Sequence, residues 1–319
     1  MAKRATRVST MLSRHDRLFF LSLLPYASLL LAVLILLVVV FVYESYPILV
    51  REGLSFITSS LWSPSTKPSE AFYGVLAALY GTAVTSIIAI AIALPVSVSM
   101  TIFVNEILPH RLRPVFSTIV DLMAGLPTVV YGLWGLTILA PLLRDYVMKP
   151  LHEYLGFIPL FSCNPLSGYS LLTAGVILAV MVTPYSFALM NEAYQSIPMI
   201  YREAVYSLGA RLYQAAWINI SMIRPAVIGA ILLGLGRAAS ETIAVTLVIG
   251  NTPTVSACLF SSGYTISSLI ATQYGEAYLY PYMINALYGA GLILLIVGLV
   301  LNTIGISLVS KWRERIRGS

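Results

Sequence analysis

Charged residues are scarce in this chain of 319 residues: only 10% are Asp, Glu, Lys or Arg, whereas soluble domains carry about a quarter. Hydrophobic residues make up 58% of the sequence, and the mean hydropathy is +0.87. A soluble fold of this size could not remove that much apolar surface from water, and a disordered chain would be far more polar. The composition therefore predicts a protein of the lipid bilayer.

Metal-ligand clusters and catalytic motifs are also missing. The two cysteines and three histidines form no CxxC or Cys/His cluster, so no metal site is predicted. The sequence contains no HExxH motif and no P-loop, and none of its four lysines follows a glycine. We therefore expect neither an enzyme nor a bound cofactor, and the chain alone is not expected to hydrolyse ATP.

Six apolar stretches are each long enough to cross a bilayer as a helix, which takes about 20 residues. Because they are continuously apolar, with no alternation of period two, helices are favoured over the strands of a membrane barrel. We predict an all-α polytopic membrane protein with six transmembrane helices. The stretches are Leu18–Tyr43, Gly74–Phe103, Val115–Leu143, Tyr169–Met190, Pro225–Gly250 and Pro281–Val309.

The first stretch is too long for the apolar part of a signal peptide, and no small-residue cleavage site follows it. It is therefore predicted to be a retained helix. The chain divides into a basic tail over residues 1–17, a membrane domain over 18–309 with its core at 71–309, and a basic tail over 310–319.

Basic residues outside the apolar stretches predict the orientation. Fourteen Lys and Arg residues fall in the two tails, the loop 104–114 and the segment 191–224, whereas four fall in the loops on the opposite side. This asymmetry places both termini in the cytoplasm. The net charge of +6 then reflects topology, and no nucleic-acid partner is predicted.

The polar cytoplasmic segment 191–224 separates the fourth stretch from the fifth. Within it, Ile200–Ile218 has apolar residues at helical spacing but is too polar to span a membrane. Two interpretations stay open: a short helix at the membrane surface or docked on a partner, and a plain amphipathic connector.

Three charged residues fall inside the predicted spans: Asp121, Arg237 and Glu241. Charges in hydrocarbon are costly and therefore mark functional candidates. At the helical rise per residue, Arg237 lies about 18 Å along its span, and Glu241 is expected on the same helix face. Asp121 lies only about 9 Å into its span, so it can instead reach the interface or pair with an arginine.

Arg237 and Glu241 allow two interpretations. They could form a self-neutralising ion pair that holds their helix in a bundle. Alternatively, Arg237 offers its planar guanidinium to a passing oxyanion such as phosphate, and Glu241 holds that guanidinium in place.

Small residues accompany these charges. Gly125, Pro127 and Gly132 in the third stretch predict a kink or close packing, and Gly234 and Gly236 let another helix or a ligand approach the backbone before Arg237. The two cysteines, Cys163 and Cys258, both fall in predicted external loops, where a disulfide can persist. Two free thiols are the alternative.

The segment 197–209 resembles the cytoplasmic EAA loop of ABC importer permeases. Glu203, Ala204 and Gly209 match the family pattern E-A-A-x3-G, whereas Val205 replaces the second alanine. The family pattern continues into isoleucine, leucine and proline, and here those positions hold Asn219, Ser221 and Met222.

Two further runs resemble phosphate-transport permeases. Residues 125–135, GLPTVVYGLWG, are similar to their third span, and residues 234–251, GLGRAASETIAVTLVIGN, are similar to their G-R-A-x-G-E-T motif, with Ser240 in place of the glycine. The continuation after Thr242 is closer to the PstC branch than to the PstA branch. The resemblance covers the chain from Leu18 onward.

This resemblance implies the MetI-like fold of a type I ABC importer permease in the cell membrane. It implies three protein partners: a second, PstA-like permease, two copies of a PstB-like ATP-binding subunit, and an external PstS-like phosphate-binding protein. The substrate it implies is inorganic phosphate. Arg237 and Glu241 match charged positions that the family associates with transport, and residues 203–209 match its ATPase-docking loop.

Other functions stay open beside this one. The same architecture could carry molybdate, tungstate or sulfate. A self-sufficient secondary anion carrier would often show internal repeats, and no convincing repeat is visible. An intramembrane enzyme is disfavoured by the missing catalytic motifs.

Overall fold

The computed structural model describes residues 14–317, with side chains described for residue 19 and residues 21–310. Positions 1–13, 318 and 319 of the predicted tails lie outside this part of the chain. The described chain is mostly helical, because a backbone in hydrocarbon has to satisfy its own hydrogen bonds. The helices are α1 Arg14–Glu52, α2 Ser55–Thr58, α3 Leu76–Ile102, α4 Arg113–Ala124, α5 Thr128–Trp134, α6 Ala140–Leu143, α7 Lys149–Leu155, α8 Leu171–Gln195, α9 Met199–Ser207, α10 Leu212–Met222, α11 Arg224–Ser240, α12 Ile243–Val248, α13 Ile266–Gln273 and α14 Met283–Arg317.

Shorter elements join these helices. Three π-helical segments, Phe103–Ile107, Gly135–Leu139 and Arg144–Met148, extend or connect α-helices, and Pro159–Phe161 and Tyr274–Leu279 are 3-10 turns. Strands β1 Trp62–Ser63 and β2 Phe72–Tyr73 pair antiparallel, with Trp62 opposite Tyr73.

Four helices are long and apolar enough to cross a membrane: α1, α3, α8 and α14. Two bent pairs raise the number to six. The axis of α4 meets the helical stretch 128–155 at 85°, and α10 meets α11 at 67°. The protein is therefore polytopic, with four to six candidate spans.

Helix α8 lies at the centre of the molecule. In the most apolar window of α8, 67% of the residues are buried, compared with 28% for α3, 6% for α14 and none for α1. Helix α3 packs along α8, and α11 packs against α3, α8 and α14. The exposed apolar surface of α1 suits contact with lipid.

The two ends of α8 carry different structures. At its first turn, the backbone N–H groups of Leu171 and Leu172 donate to the carbonyls of Ser261 and Leu259 at 3.0 and 2.9 Å. Near its last turns, the buried amide of Asn105 donates to the side chain of Asn191 at 2.7 Å. A helix of 25 residues separates these ends by about 36 Å, which is more than the thickness of a hydrocarbon core.

Candidate functional site

The third apolar stretch is broken between α4 and α5. Pro127 has no N–H to donate and disfavours helical geometry in the residue before it, so α4 ends at Ala124 and α5 begins at Thr128. The hydroxyl of Tyr131, which is 8% exposed, donates to the carbonyl of Met123 at 2.7 Å across this break. The predicted single span Val115–Leu143 is therefore two helices with a sharp bend.

A second break follows Arg237. Helix α11 ends at Ser240, and Glu241 takes an extended conformation with φ −68° and ψ 129°. The expectation that Arg237 and Glu241 lie on one helix face is therefore wrong. The hydroxyl of Ser267 on α13 donates to the backbone carbonyl of Glu241 at 2.6 Å and so holds the break in place.

Arg237 and Glu241 do not form an ion pair. Within the described residues, no carboxylate oxygen lies within 4.0 Å of the Arg237 guanidinium. The Arg237 side chain is exposed in the last turn of α11, and Glu241 is half-buried. The self-neutralising pair is therefore not formed in this structure, and the arginine is available to a ligand. Asp121 is likewise exposed on α4 and has no ion pair in the described part of the chain.

The two breaks lie close together. A Cβ atom on Gly132 of α5 would stand 2.7 Å from Cδ1 of Leu247 and 3.0 Å from Cα of Ala244, both on α12. The structure therefore brings the two glycine-rich runs of the sequence into contact, and Arg237 lies in the second run, in the last turn of α11 before the break.

The glycines before Arg237 sit at helix contacts. A Cβ on Gly234 would lie 2.9 Å from Val182 on α8, and a Cβ on Gly236 would lie 3.0 Å from the Asn302 amide on α14. Gly125 has only carbonyls of its own helix nearby, at 3.6 and 3.8 Å. Its role is therefore at the break, whereas Gly234 and Gly236 serve packing.

Residues 199–222 form two helices, α9 and α10. We name them the coupling segment after the docking role that the sequence resemblance implies. The predicted single helix over Ile200–Ile218 is wrong, because Gly209 has a φ of +78° and ends the first helix. Glu203, Ala204 and Gly209 are all exposed. Leu208 at the turn is 89% exposed and Trp217 is 66% exposed, an apolar surface of the kind found where another protein docks.

The inner side of α9 contacts Glu106, a residue that the sequence interpretation missed. Glu106 lies in the π-helical extension of α3, and its carboxylate accepts hydrogen bonds from Tyr206 at 2.6 Å and from Arg202 at 3.3 Å. Burial and the bond to Glu106 raise the pKa of Tyr206 to about 12, so its hydroxyl stays a donor at neutral pH. In the sequence, Glu106 is distinguished only as the one carboxylate in the basic loop 104–114. That position does not indicate hydrogen-bond partners about a hundred residues away.

The cysteines are joined at the opposite end of the molecule. Cys163 and Cys258 form a disulfide with their Cα atoms 6.1 Å apart. The bond links the loop after α7 to the loop after α12, and the neighbouring Leu259 is bonded to the first turn of α8. Within the described residues, no group of three or more His, Cys, Asp or Glu could hold a metal ion.

These features belong to a polytopic membrane protein with four to six candidate spans, two of them formed by bent helix pairs. No family model matches the chain. It is 47% identical over 274 residues to the probable phosphate transport system permease protein PstC of Methanocaldococcus jannaschii, covering 86% of this chain and 87% of the relative. It is 41% identical over 230 residues to PstC of Xylella fastidiosa strain Temecula1, covering 71% and 70%, and 35% identical over 265 residues to PstC of Pasteurella multocida, covering 82% of each.

The chain therefore belongs to the PstC family of phosphate transport system permeases. It is a multi-pass protein of the cell membrane and a permease component of a transport system, not an enzyme.

Proposed function

We propose that this chain is a membrane subunit of an ATP-driven importer of inorganic phosphate. The observation that carries the proposal is Arg237, whose exposed guanidinium has no ion pair in the described chain and lies beside two broken helices. A planar guanidinium forms bidentate hydrogen bonds with a tetrahedral oxyanion. The names of the PstC relatives supply the anion class.

Six spans with both termini in the cytoplasm fit this role. The coupling segment and the basic loop 104–114 lie near the end of α8 opposite to the disulfide. Basic loops favour the cytoplasmic side, and disulfides persist on the oxidising side of a membrane. Both rules give the same orientation, with Cys163 and Cys258 outside. The permease core at 71–309 would pair with a second, PstA-like permease.

Transport needs an external energy source, because moving an anion into hydrocarbon costs many kcal/mol. In this proposal a PstB-like ATPase dimer grips the coupling segment around Glu203, Ala204 and Gly209. ATP binding closes the dimer, moves the segment and opens the cavity between the two permeases to an external PstS-like binding protein. Hydrolysis reverses the movement.

The two charged residues then have separate roles. Arg237 attracts the anion as it passes the breaks. Glu241 repels it, because both are negative and the carboxylate is not neutralised by Arg237. The repulsion limits how long phosphate stays, which a transport site requires.

The test is phosphate uptake into vesicles that contain the assembled transporter with Arg237→Ala. We expect uptake to fall to background while the complex still purifies intact, because the exposed side chain packs no core. Arg237→Lys should retain part of the activity, since lysine keeps the charge and loses the planar fork.

The matched control is Arg144→Ala. Arg144 forms a surface pair with Asp145 at 2.9 Å, and Asp145 keeps a second partner, Lys149, at 2.8 Å. This variant should transport normally, because exposed ion pairs contribute little. Normal uptake by Arg237→Ala would remove the pathway role. Competition by sulfate, molybdate or tungstate at phosphate-like concentrations would reassign the anion.

A further inference from the structure

The carboxylate of Glu106 is surrounded by donors from three different helices. Oε2 accepts from Tyr206 on α9 at 2.6 Å, and Oε1 accepts from Arg202 on α9 at 3.3 Å and from Asn219 on α10 at 3.1 Å. The hydroxyl of Tyr194 on α8 also donates to Oε1. The Glu106 side chain is only 4% exposed. We name this cluster the Glu106 cluster.

The members of the cluster also hold one another. The Asn219 amide donates to the Tyr194 hydroxyl at 3.1 Å, and the Arg202 guanidinium lies over the Tyr194 ring, 5.3 Å from its centroid. Hydrogen bonds to an ionised carboxylate are roughly twice as strong as neutral ones. A buried carboxylate with this many donors therefore fixes the positions of the groups around it.

Helix α9 has little else to hold it. None of its residues is buried, so it lacks the deeply buried apolar contacts that attach a helix such as α8 to the core. Its neighbour α10, by contrast, buries Ala215, Ala216 and Ile220. The side-chain grip on α9 therefore comes chiefly from Arg202 and Tyr206, which both bond to Glu106.

The cluster connects α9 directly to a candidate span. Glu106 continues α3 through the π-helical segment 103–107, and α3 packs along the central helix α8. The adjacent Asn105 bonds to Asn191 of α8 and accepts from Arg202 through its backbone carbonyl at 3.5 Å. Polar bonds therefore link α9 to both α3 and α8.

We propose that Glu106 is the positioning residue that makes α9 and α3 move together, so that work done on the coupling segment reaches the membrane helices. The inference rests on the proposed function, since it assumes that an ATPase acts on α9. Glu106 itself touches neither phosphate nor nucleotide in this scheme. Its loss should therefore lower the amount of phosphate transported per ATP without removing any group that binds phosphate or hydrolyses ATP.

The experiment measures phosphate taken up per ATP hydrolysed, using the assembled transporter in vesicles. Glu106→Gln should lower this ratio by about tenfold, because the amide turns one acceptor into a donor and faces donors already aimed at it. Tyr206→Phe removes a single donor and keeps the ring, so it should lower the ratio by a few-fold. Basal ATP hydrolysis should persist in both variants.

Tyr201→Phe is the matched control. Tyr201 lies on the same helix and is 47% exposed, and its hydroxyl has no hydrogen bond within the described chain. This variant should keep the wild-type ratio. If Glu106→Gln prevents assembly, Tyr206→Phe decides the question.

The outcomes are distinct. An assembled Tyr206→Phe transporter with an unchanged uptake-to-hydrolysis ratio overturns the role of the Glu106 cluster. If the cluster were merely structural, uptake and hydrolysis would fall together at a constant ratio. That result would also overturn the proposed role of the Glu106 cluster. If the wild-type complex shows no ATP-driven uptake, the proposed function is wrong. The coupling role of the Glu106 cluster is then wrong as well, because it rests on that function.

Discussion

At the scale of single residues, Gly132 shows why a small side chain is needed where two motifs meet. The backbone of α5 comes so close to α12 that an added Cβ would lie 3.0 Å from the Cα of Ala244. A backbone atom cannot move away as the tip of a side chain can. The sequence predicted a kink or close packing at Gly132, but its partner 112 residues along the chain depends on the tertiary fold.

We expect Gly132→Ala to destabilise the protein by about 1–3 kcal/mol, the usual cost of overpacking a tight contact. The measurement is the thermal unfolding midpoint of the detergent-solubilised transporter. Gly298→Ala is the control, because an added Cβ at Gly298 has nothing within 4 Å. In a helix this control should gain up to about 1 kcal/mol. Equal midpoints for the two variants would contradict the close approach of α5 to α12.

At the scale of helices, hydropathy predicted a polytopic helical protein but not where its helices break. The bilayer requires every span to have a minimum length and an apolar surface, and both properties can be read from one amino-acid sequence. A break depends on local chemistry. Pro127 indicates the break between α4 and α5. The break at the end of α11, after Ser240, has no proline, and the hydrogen bond from Ser267 stabilises it. The ion pair between Arg237 and Glu241, one of the two interpretations of their four-residue spacing, is absent for this reason.

The turn at Gly209 carries a prediction at the same scale. Nothing lies within 4 Å of an added Cβ there, so only the φ of +78° restricts the residue. Left-handed geometry costs an ordinary L-residue roughly 1–2 kcal/mol, and asparagine tolerates it better. Gly209→Val should therefore reorient α9 against α10 and lower phosphate uptake per ATP, whereas Gly209→Asn should retain most of it. Equal ratios in vesicles for the two variants would show that the backbone angle is unimportant.

At the scale of the whole molecule, the sequence indicated a multi-pass membrane protein because its composition allows little else. It could not indicate which distant residues meet. Glu106 and Asn219 are 113 residues apart and come within 3.1 Å, since α3 and α10 both end against α8. Such contacts depend on how the helices pack against one another, and a hydropathy pattern carries no information about that packing. The sequence likewise left the two cysteines open between a disulfide and free thiols.

The disulfide allows the orientation to be tested. Cys163 and Cys258 are the only two cysteines in the sequence and are bonded to each other. In intact cells a membrane-impermeant maleimide should not label the protein until a reductant opens the bond, and should then label the half-buried Cys163 from outside.

The control reports on the other side of the membrane. His110→Cys, placed in the exposed loop before α4 with both native cysteines changed to serine, should be labelled only after the membrane is permeabilised. Replacing both native cysteines should itself cost about 2–4 kcal/mol, because the bond closes a long loop of the unfolded chain. Labelling of His110→Cys in intact cells would invert the topology. The coupling segment would then face away from any cytoplasmic ATPase, and ATP-driven import through this chain could not operate.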